Sequence, residues 1–277
     1  MKEIEKITSR DNGRLVHARK VRDGKATDRI FIEGKRLVGE AMRSSLLIDE
    51  CFVVEGFGDR DFLDVVANQT TEIFELSESV FRTIADTYQP QGIVLIGHRP
   101  KTSRGMVEAR LDRSALPLVL FLNEINNPSN LGAILRTAEA ADVAGIIVSE
   151  NSADAFSPKA LRGAMGSSFR LAIWAAADFD GVVEWAKEKD LTVTAAAAGG
   201  SETYLETNWK IPRLLVFGSE AHGLSERELS KVDKQVRISL DNDVESLNLA
   251  VSAGVILFEA KRQHARLERH PKASGLA

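Results

Sequence analysis

The chain has 277 residues, 44% hydrophobic, 27% charged and 6% aromatic, with one cysteine and a net charge of −4. That length and apolar share suit one large packed domain or two modest ones and exclude a disordered tail or a collagen-like fibre. The lone Cys51 excludes an internal disulfide framework, and no run approaches the roughly 18 apolar residues of a membrane span. No apolar stretch follows the charged N-terminus as a secretory signal requires, so a soluble cytoplasmic protein without membrane contact is expected.

Charge is unevenly spread. Residues 1–36 hold eleven basic groups against six acidic ones, a surplus of five, which leaves the other 241 residues at −9. A basic head on an acidic body fits a phosphate backbone, with Arg10, Arg14, Lys20, Arg22, Lys35 and Arg36 as candidate nucleic-acid contacts; an ordinary solvated surface explains it equally well. The apolar runs Phe31-Ile32, Cys51 to Val54 and Ile93 to Ile96, interleaved with a helical stretch from Lys35 to Ser44, predict a small α/β domain over residues 1–100. From His98 to Gly105 the chain is polar, basic and bounded by Pro100 and Gly105, and residues 101–114 read as a linker.

Residues 115–277 have a plainer rhythm. Candidate strands are Leu118–Leu122, Ile146–Val148, Leu171–Trp174, Leu191–Ala195, Leu214–Phe217 and Val236–Leu240. Helical patterns lie between most of them, at Leu131–Asp142, Pro158–Met165, Phe179–Lys189 and Ser225–Lys231. Short, almost continuous apolar strands are what a sheet buried on both faces requires, so a parallel α/β sheet is expected. Ligands on such sheets gather beyond the carboxyl ends of the strands.

Three loops there carry chemistry. In Asn126 to Gly132, Pro128 suits a first helical turn, with Asn127 or Asn130 as the cap. Leu131, Ile134, Leu135 and Ala138 form the buried stripe, and Arg136 lies about 140° around the helix from it. Arg136 is thereby free for solvent, a partner subunit or a phosphate, or for a simple surface ion pair. In the second loop, Gly218 ends an apolar strand, where a missing Cβ admits a ligand to the backbone. Glu220 stands just beyond it, and Ser225 with Glu228 forms a capping box. The third loop, from Ile238 to Asn248, leads into a helix apolar on nearly every face from 247 to 258, which predicts burial, including against a second subunit. Ser246 and Asn248 sit at its mouth, where polar groups either cap the helix or meet an anion.

No Gly-x-Gly-x-x-Gly turn, phosphate-binding Gly-Lys-Ser/Thr loop, zinc-spaced Cys/His set or Gly-x-Ser-x-Gly elbow occurs, so no metal is expected and dehydrogenases and phosphate-loop NTPases are disfavoured.

Taken together, Asn127-Pro128-Ser129-Asn130-Leu131-Gly132 with Arg136-Thr137-Ala138, then Gly218-Ser219-Glu220-Ala221-His222-Gly223, then Ser246-Leu247-Asn248, resemble the three signature motifs of the SpoU/TrmH family. These are RNA ribose 2′-O-methyltransferases of the SPOUT class. Residues 1–100, chiefly Phe31 to Val38, resemble the ribosomal-protein-like RNA-binding domain often fused ahead of that core. The resemblance implies a trefoil-knotted α/β methyltransferase domain behind a smaller α/β domain, a homodimer, structured RNA (ribosomal before transfer RNA) as substrate and S-adenosylmethionine as methyl donor. It further implies catalytic roles for Asn130, Arg136, Glu220, Ser246 and Asn248, and cofactor contacts at Ala197, Gly199, Gly218, Gly223, Ile238, Leu240 and Leu247. Where the family usually has proline after the isoleucine of the third motif, this chain has Ser239, which loosens that loop. The alternatives are a non-catalytic RNA-binding protein that keeps the fold and a small-molecule methyltransferase.

Overall fold

The computed structural model describes residues 4–242 and 244–268. Lys2 and Glu3 of the charged head, and Asp243 of the third loop, lie outside the described residues. The chain divides into two units, Met1–Lys101 with Asp154–Arg170, and Thr102–Ala153 with Leu171–Ala277.

The first unit runs β1 (Glu5–Ile7), α1 (Gly13–Arg22), β2 (Arg29–Glu33), α2 (Lys35–Met42), β3 (Ile48–Val54), α3 (Arg60–Gln69), β4 (Thr70–Leu76), α4 (Glu78–Ile84) and β5 (Ile93–His98). Its five-stranded sheet has the order β1-β4-β3-β5-β2, and β5 is antiparallel to both its neighbours while the other pairs are parallel. Phe31, Phe52, Phe74, Val94 and Ile96 project alternately from their strands into one core, where Leu15, Ala18 and Val21 of α1 and Phe81 and Ile84 of α4 close over them. Phe52 and Phe74 stack across neighbouring strands at 5.4 Å.

The second unit starts inside the expected linker. Residues Arg104–Leu111 form α5, capped by Ser103 Oγ, which accepts from the Met106 amide at 3.3 Å. Val107 is fully buried there. Its Cγ1 would lie 2.8 Å from a Cβ at Gly145, so the helix seats closely on the sheet. Leu111 packs in the same core, and two apolar anchors in a basic stretch leave little mark on composition.

Then follow β6 (Leu118–Leu122), α6 (Pro128–Ala141) and β7 (Gly145–Ser149); α7 (Pro158–Ala164), which belongs to the first unit; and β8 (Ile173–Ala177), α8 (Phe179–Glu188), β9 (Thr192–Ala196), β10 (Glu202–Thr203), β11 (Arg213–Phe217), α9 (Glu226–Leu229), β12 (Lys234–Arg237) and α10 (Leu249–Glu268). The seven strands pair in parallel in the order β10-β12-β9-β11-β6-β7-β8. Every residue of β6, β7 and β11 is buried, as continuous apolar runs require of a sheet covered on both faces. Because β12, β9, β11 and β6 are neighbours and parallel, the loops that follow them leave from one edge of the sheet.

Two expectations are corrected. The strand expected at Val236–Leu240 ends at Arg237, which frees Ile238, Ser239 and Leu240 for the loop. The helix expected to be buried all round starts at Leu249 and carries Val251 and Phe258 about half exposed (52% and 51%), although Ala253, Ile256, Leu257 and Ala260 are buried. Its far half is stitched to the loop before β11: Gln263 accepts from the Trp209 amide at 3.0 Å and donates to the Thr207 carbonyl at 3.0 Å, and His264 Nε2 donates to the Trp209 carbonyl at 2.7 Å. Arg213, buried at the start of β11, donates to the Thr194 hydroxyl at 2.6 Å and the Asn208 carbonyl at 2.9 Å, and burial lowers its pKa.

Candidate active site

The first loop is set by its cap. Asn127 Oδ1 accepts from the Ser129 amide at 2.9 Å, and Pro128 occupies the first helical turn, where its missing N–H costs nothing. With Asn127 as cap, the side chain of Asn130 is released for other partners. Upstream, Glu124 takes a left-handed φ of 58°. That strained turn is held by Ser149 Oγ, which accepts from the Glu124 amide at 2.8 Å, and by Ser152 Oγ, which accepts from the Ile125 amide at 3.0 Å.

The second loop leaves β11 through Gly218. A Cβ there would lie 2.3 Å from the carbonyl carbon of Gly223, because residues 219–223 fold back with reciprocal backbone bonds of 3.1 and 3.0 Å between Ser219 and Gly223. Gly218 is thus demanded by its own chain, since Gly223 fills the space that a Cβ would need. Ser225 and Glu228 form the capping box, and Glu228 also accepts from Asn123 Nδ2 at 2.8 Å, tying this loop to the end of β6.

Glu220, at the tip of the turn, accepts from the Asn126 amide at 3.2 Å through one carboxylate oxygen. Its other oxygen accepts from the Asn127 amide at 3.2 Å and from Asn130 Nδ2 at 3.3 Å. The third loop adds Asn248, whose Nδ2 donates to Asn130 Oδ1 at 3.1 Å while its Oδ1 accepts from the Ala250 amide at 2.9 Å and caps α10. The result is a relay, Glu220 to Asn130 to Asn248, in which each amide's orientation is fixed by the group behind it.

The relay lies at the rim of a cavity of about 680 Å³. Asn130, Glu220, Ser246 and Asn248 line it, as do Ala197, Gly199, Gly223, Ile238, Leu240 and Leu247. Gly218 is not among the residues that line it. Arg136 is exposed on α6, outside the lining, with no side-chain hydrogen-bond partner among the described residues. Sequence reasoning missed Glu245, Ser252 and Ile256, which also line the cavity; Ser252 and Ile256 lie on the side of α10 whose role only the fold reveals. Among the described residues no group of three or more His, Cys, Asp or Glu side chains is placed to hold a metal, and no helix is long and apolar enough to cross a membrane.

In the first unit the six candidate cations separate. Arg14 donates to Glu50 at 2.7 Å and doubly to Glu72 at 2.6 and 2.7 Å, and its guanidinium lies 4.5 Å from the Phe74 ring centroid. Arg22 donates to the carbonyls of Thr83, Ile84 and Ala85, closing the end of α4, and Lys35 pairs with Asp59. Arg10, Lys20 and Arg36 are exposed, with no side-chain partner among the described residues.

The SpoU rRNA Methylase family model matches residues 117–258, and that of the MRM3-like substrate binding domain matches residues 4–95. The 23S rRNA (guanosine(2553)-2'-O)-methyltransferase RlmP of Bacillus subtilis is 29% identical over 94% of this chain and 100% of its own length. An uncharacterized tRNA/rRNA methyltransferase of Synechocystis is 30% identical over 94% and 95%. Among solved structures, an RNA 2'-O ribose methyltransferase aligns with a TM-score of 0.77 at 28% identity, covering 94% of this chain and 99% of the other. An AdoMet-bound rRNA methyltransferase from Sinorhizobium meliloti aligns at 0.79 and 27%, covering 94% and 98%. The order of the three loops and the span of these matches place the chain in the SpoU rRNA methylase family.

Proposed function

We propose that this protein transfers a methyl group from S-adenosylmethionine to a ribose 2′-hydroxyl of structured RNA, with ribosomal RNA as the substrate class, in the cytoplasm. The observation that carries the reading is the relay from Glu220 through Asn130 to Asn248 at the rim of the cavity. The residues fit the donor. A cavity of this size takes a nucleoside-sized ligand, and the apolar side chains of Phe217, Leu229 and Ile256 suit a flat heterocycle. The carboxylates of Glu220 and Glu245 suit a sulfonium cation.

Ala197, Gly199, Ile238, Leu240 and Leu247 would hold the cofactor, which supplies an electrophilic methyl group when bound. The chain's own residues then have two tasks: to align the ribose hydroxyl with that methyl and to stabilise the negative charge growing on its oxygen as its proton passes to solvent. Asn130, oriented from both sides, presents a fixed amide to the ribose, and Ser246 adds a hydroxyl. Arg136 clamps an RNA phosphate and offers positive charge to the developing alkoxide; as a guanidinium is almost always protonated, its contribution is electrostatic. Arg136 lies outside the lining of its own chain's cavity, and α10 exposes Val251 and Phe258. Both features support a homodimer in which the sites are completed across two copies, with the family's knot forming each cavity.

The test is transfer of labelled methyl from S-adenosylmethionine to ribosomal RNA, with transfer RNA in parallel and the modified ribose mapped by mass spectrometry. Arg136→Ala is expected to lower turnover on the order of 100-fold or more while leaving calorimetric binding of S-adenosylmethionine intact. Near-normal turnover in that variant removes Arg136 from the mechanism. Absence of calorimetric heat with the native chain leaves a non-catalytic RNA-binding protein, and transfer to transfer RNA alone replaces the substrate class.

A further inference from the structure

Tyr88 is 93% exposed, more than any other large hydrophobic side chain described, and its ring meets no other aromatic ring or cation among the described residues. An aromatic side chain at the tip of a mobile loop would call for no explanation. This loop is clamped. Glu33, 4% exposed at the end of β2, accepts from the Asp86 amide at 2.7 Å, from the Thr87 amide at 3.2 Å and from the Thr87 hydroxyl. A carboxylate is thus buried to fix the two residues before Tyr88. On the other side, Gln91 Oε1 accepts from the Lys35 amide at 2.7 Å, and the Gly92 carbonyl accepts from the Val54 amide at 2.9 Å. Gly92 has a φ of 76° and no room for a Cβ, which would lie 2.6 Å from Val54 Cγ1. Arg162 of α7 pairs with Asp86 at 2.6 Å.

The fold therefore fixes the backbone on both sides of an exposed ring. Gln89, beside it, is exposed and carries an amide able to read a base edge, and Arg36 follows Lys35, the residue anchored to Gln91, with no partner for its guanidinium among the described residues. An aromatic platform, a free amide and a free cation are the elements by which proteins hold single-stranded RNA: the ring stacks on a base, the amide reads it and the cation meets a phosphate. Pre-organisation of the loop removes the ordering cost that a mobile tip would incur on binding.

We infer that Tyr88 is a stacking platform for an unpaired base of the RNA substrate. The inference rests on the proposed action on RNA and adds the residue and the kind of nucleotide it takes.

The experiment uses the full chain with a single-stranded 12-mer of adenylate and, separately, a 12-base-pair RNA duplex. Tyr88→Ala is expected to weaken binding of the single strand by roughly 5- to 150-fold, Tyr88→Phe to restore it, and neither to change duplex binding. The chain has only two tyrosines, so 3-fluorotyrosine labelling gives two fluorine resonances, assigned through Tyr88→Phe. The single strand should shift that of Tyr88. Failure of the native chain to bind the 12-mer, an unshifted Tyr88 resonance, or native affinity in Tyr88→Ala overturns the inference; a ring reserved for a protein partner gives the last two results. If methyl transfer to ribosomal RNA persists in that case, the proposed activity stands and the platform alone falls. A shifted Tyr88 resonance without methyl transfer to any RNA upholds the platform and removes the activity.

Discussion

Arg10 and Arg14 carry the same charge four residues apart, yet only one of them is available to a ligand. Arg14 joins Glu50 and Glu72 from two neighbouring strands, and Glu50 is already short of partners, with one buried carboxylate oxygen unsatisfied. Removing the guanidinium strands that carboxylate. Arg14→Ala should therefore cost about 1–3 kcal/mol of stability, read as a lowered urea midpoint. The double charge reversal of Arg10 and Lys20 should leave the midpoint unchanged, weaken RNA binding and flatten its salt dependence. An unaltered salt slope would assign those two charges to solubility. The surplus of cations was legible in the sequence. Their separation into structural and free ones was not, because the carboxylates that claim Arg14 lie 36 and 58 residues away and meet only when β3 pairs with β4.

At the scale of elements, the strands of the second unit and the order of its three loops could be read directly, since burial on both faces leaves an uninterrupted apolar signature. Loop chemistry was legible as residue types but not as partners. Asn127 was the expected cap with Asn130 as the alternative, and only the position of Glu220 against both amides explains why Asn127 caps and Asn130 is released. Helix α10 departs from expectation for a related reason: a sequence apolar on every face does not say which neighbour covers it. Lys261 donates to the Ala140 carbonyl at 2.6 Å, and a Cβ at Gly254 would lie 3.7 Å from Thr137 Cγ2, so α10 seats closely on α6. Val251 and Phe258 remain outside that contact. If they meet a second copy, Val251→Asp combined with Phe258→Asp should sediment as a monomer and lose methyl transfer while keeping its far-ultraviolet circular dichroism. A persistent dimer would place the interface elsewhere.

At the scale of the whole chain, the boundary between units is crossed near residues 101, 153 and 170. Nothing in the composition of Asp154–Arg170 sets it apart from its flanks, so this return was invisible in sequence. Within the first unit α7 lies against β2, with Ala160 and Leu161 buried, and Arg99 stacks 4.7 Å from the Phe156 ring centroid and pairs with Asp154 at 2.6 Å. Residues 102–277 produced alone should therefore show fast amide hydrogen exchange over 158–164, and residues 1–101 supplied as a separate polypeptide should slow it. Equal exchange with and without the added fragment would show that α7 is stable on its own.

The same return of the chain bears on synthesis. Pro158 is translated 60 residues after His98, the end of the strand that completes the sheet, and at roughly 5–20 residues per second that is an interval of roughly 3–12 s. For that time the emerging N-terminal sheet stands beside the ribosome without α7, its outermost strand open to chaperones or to another nascent copy. A gene arrangement or codon bias that lengthens the pause should raise the yield of aggregate before it alters the activity of the molecules that finish folding.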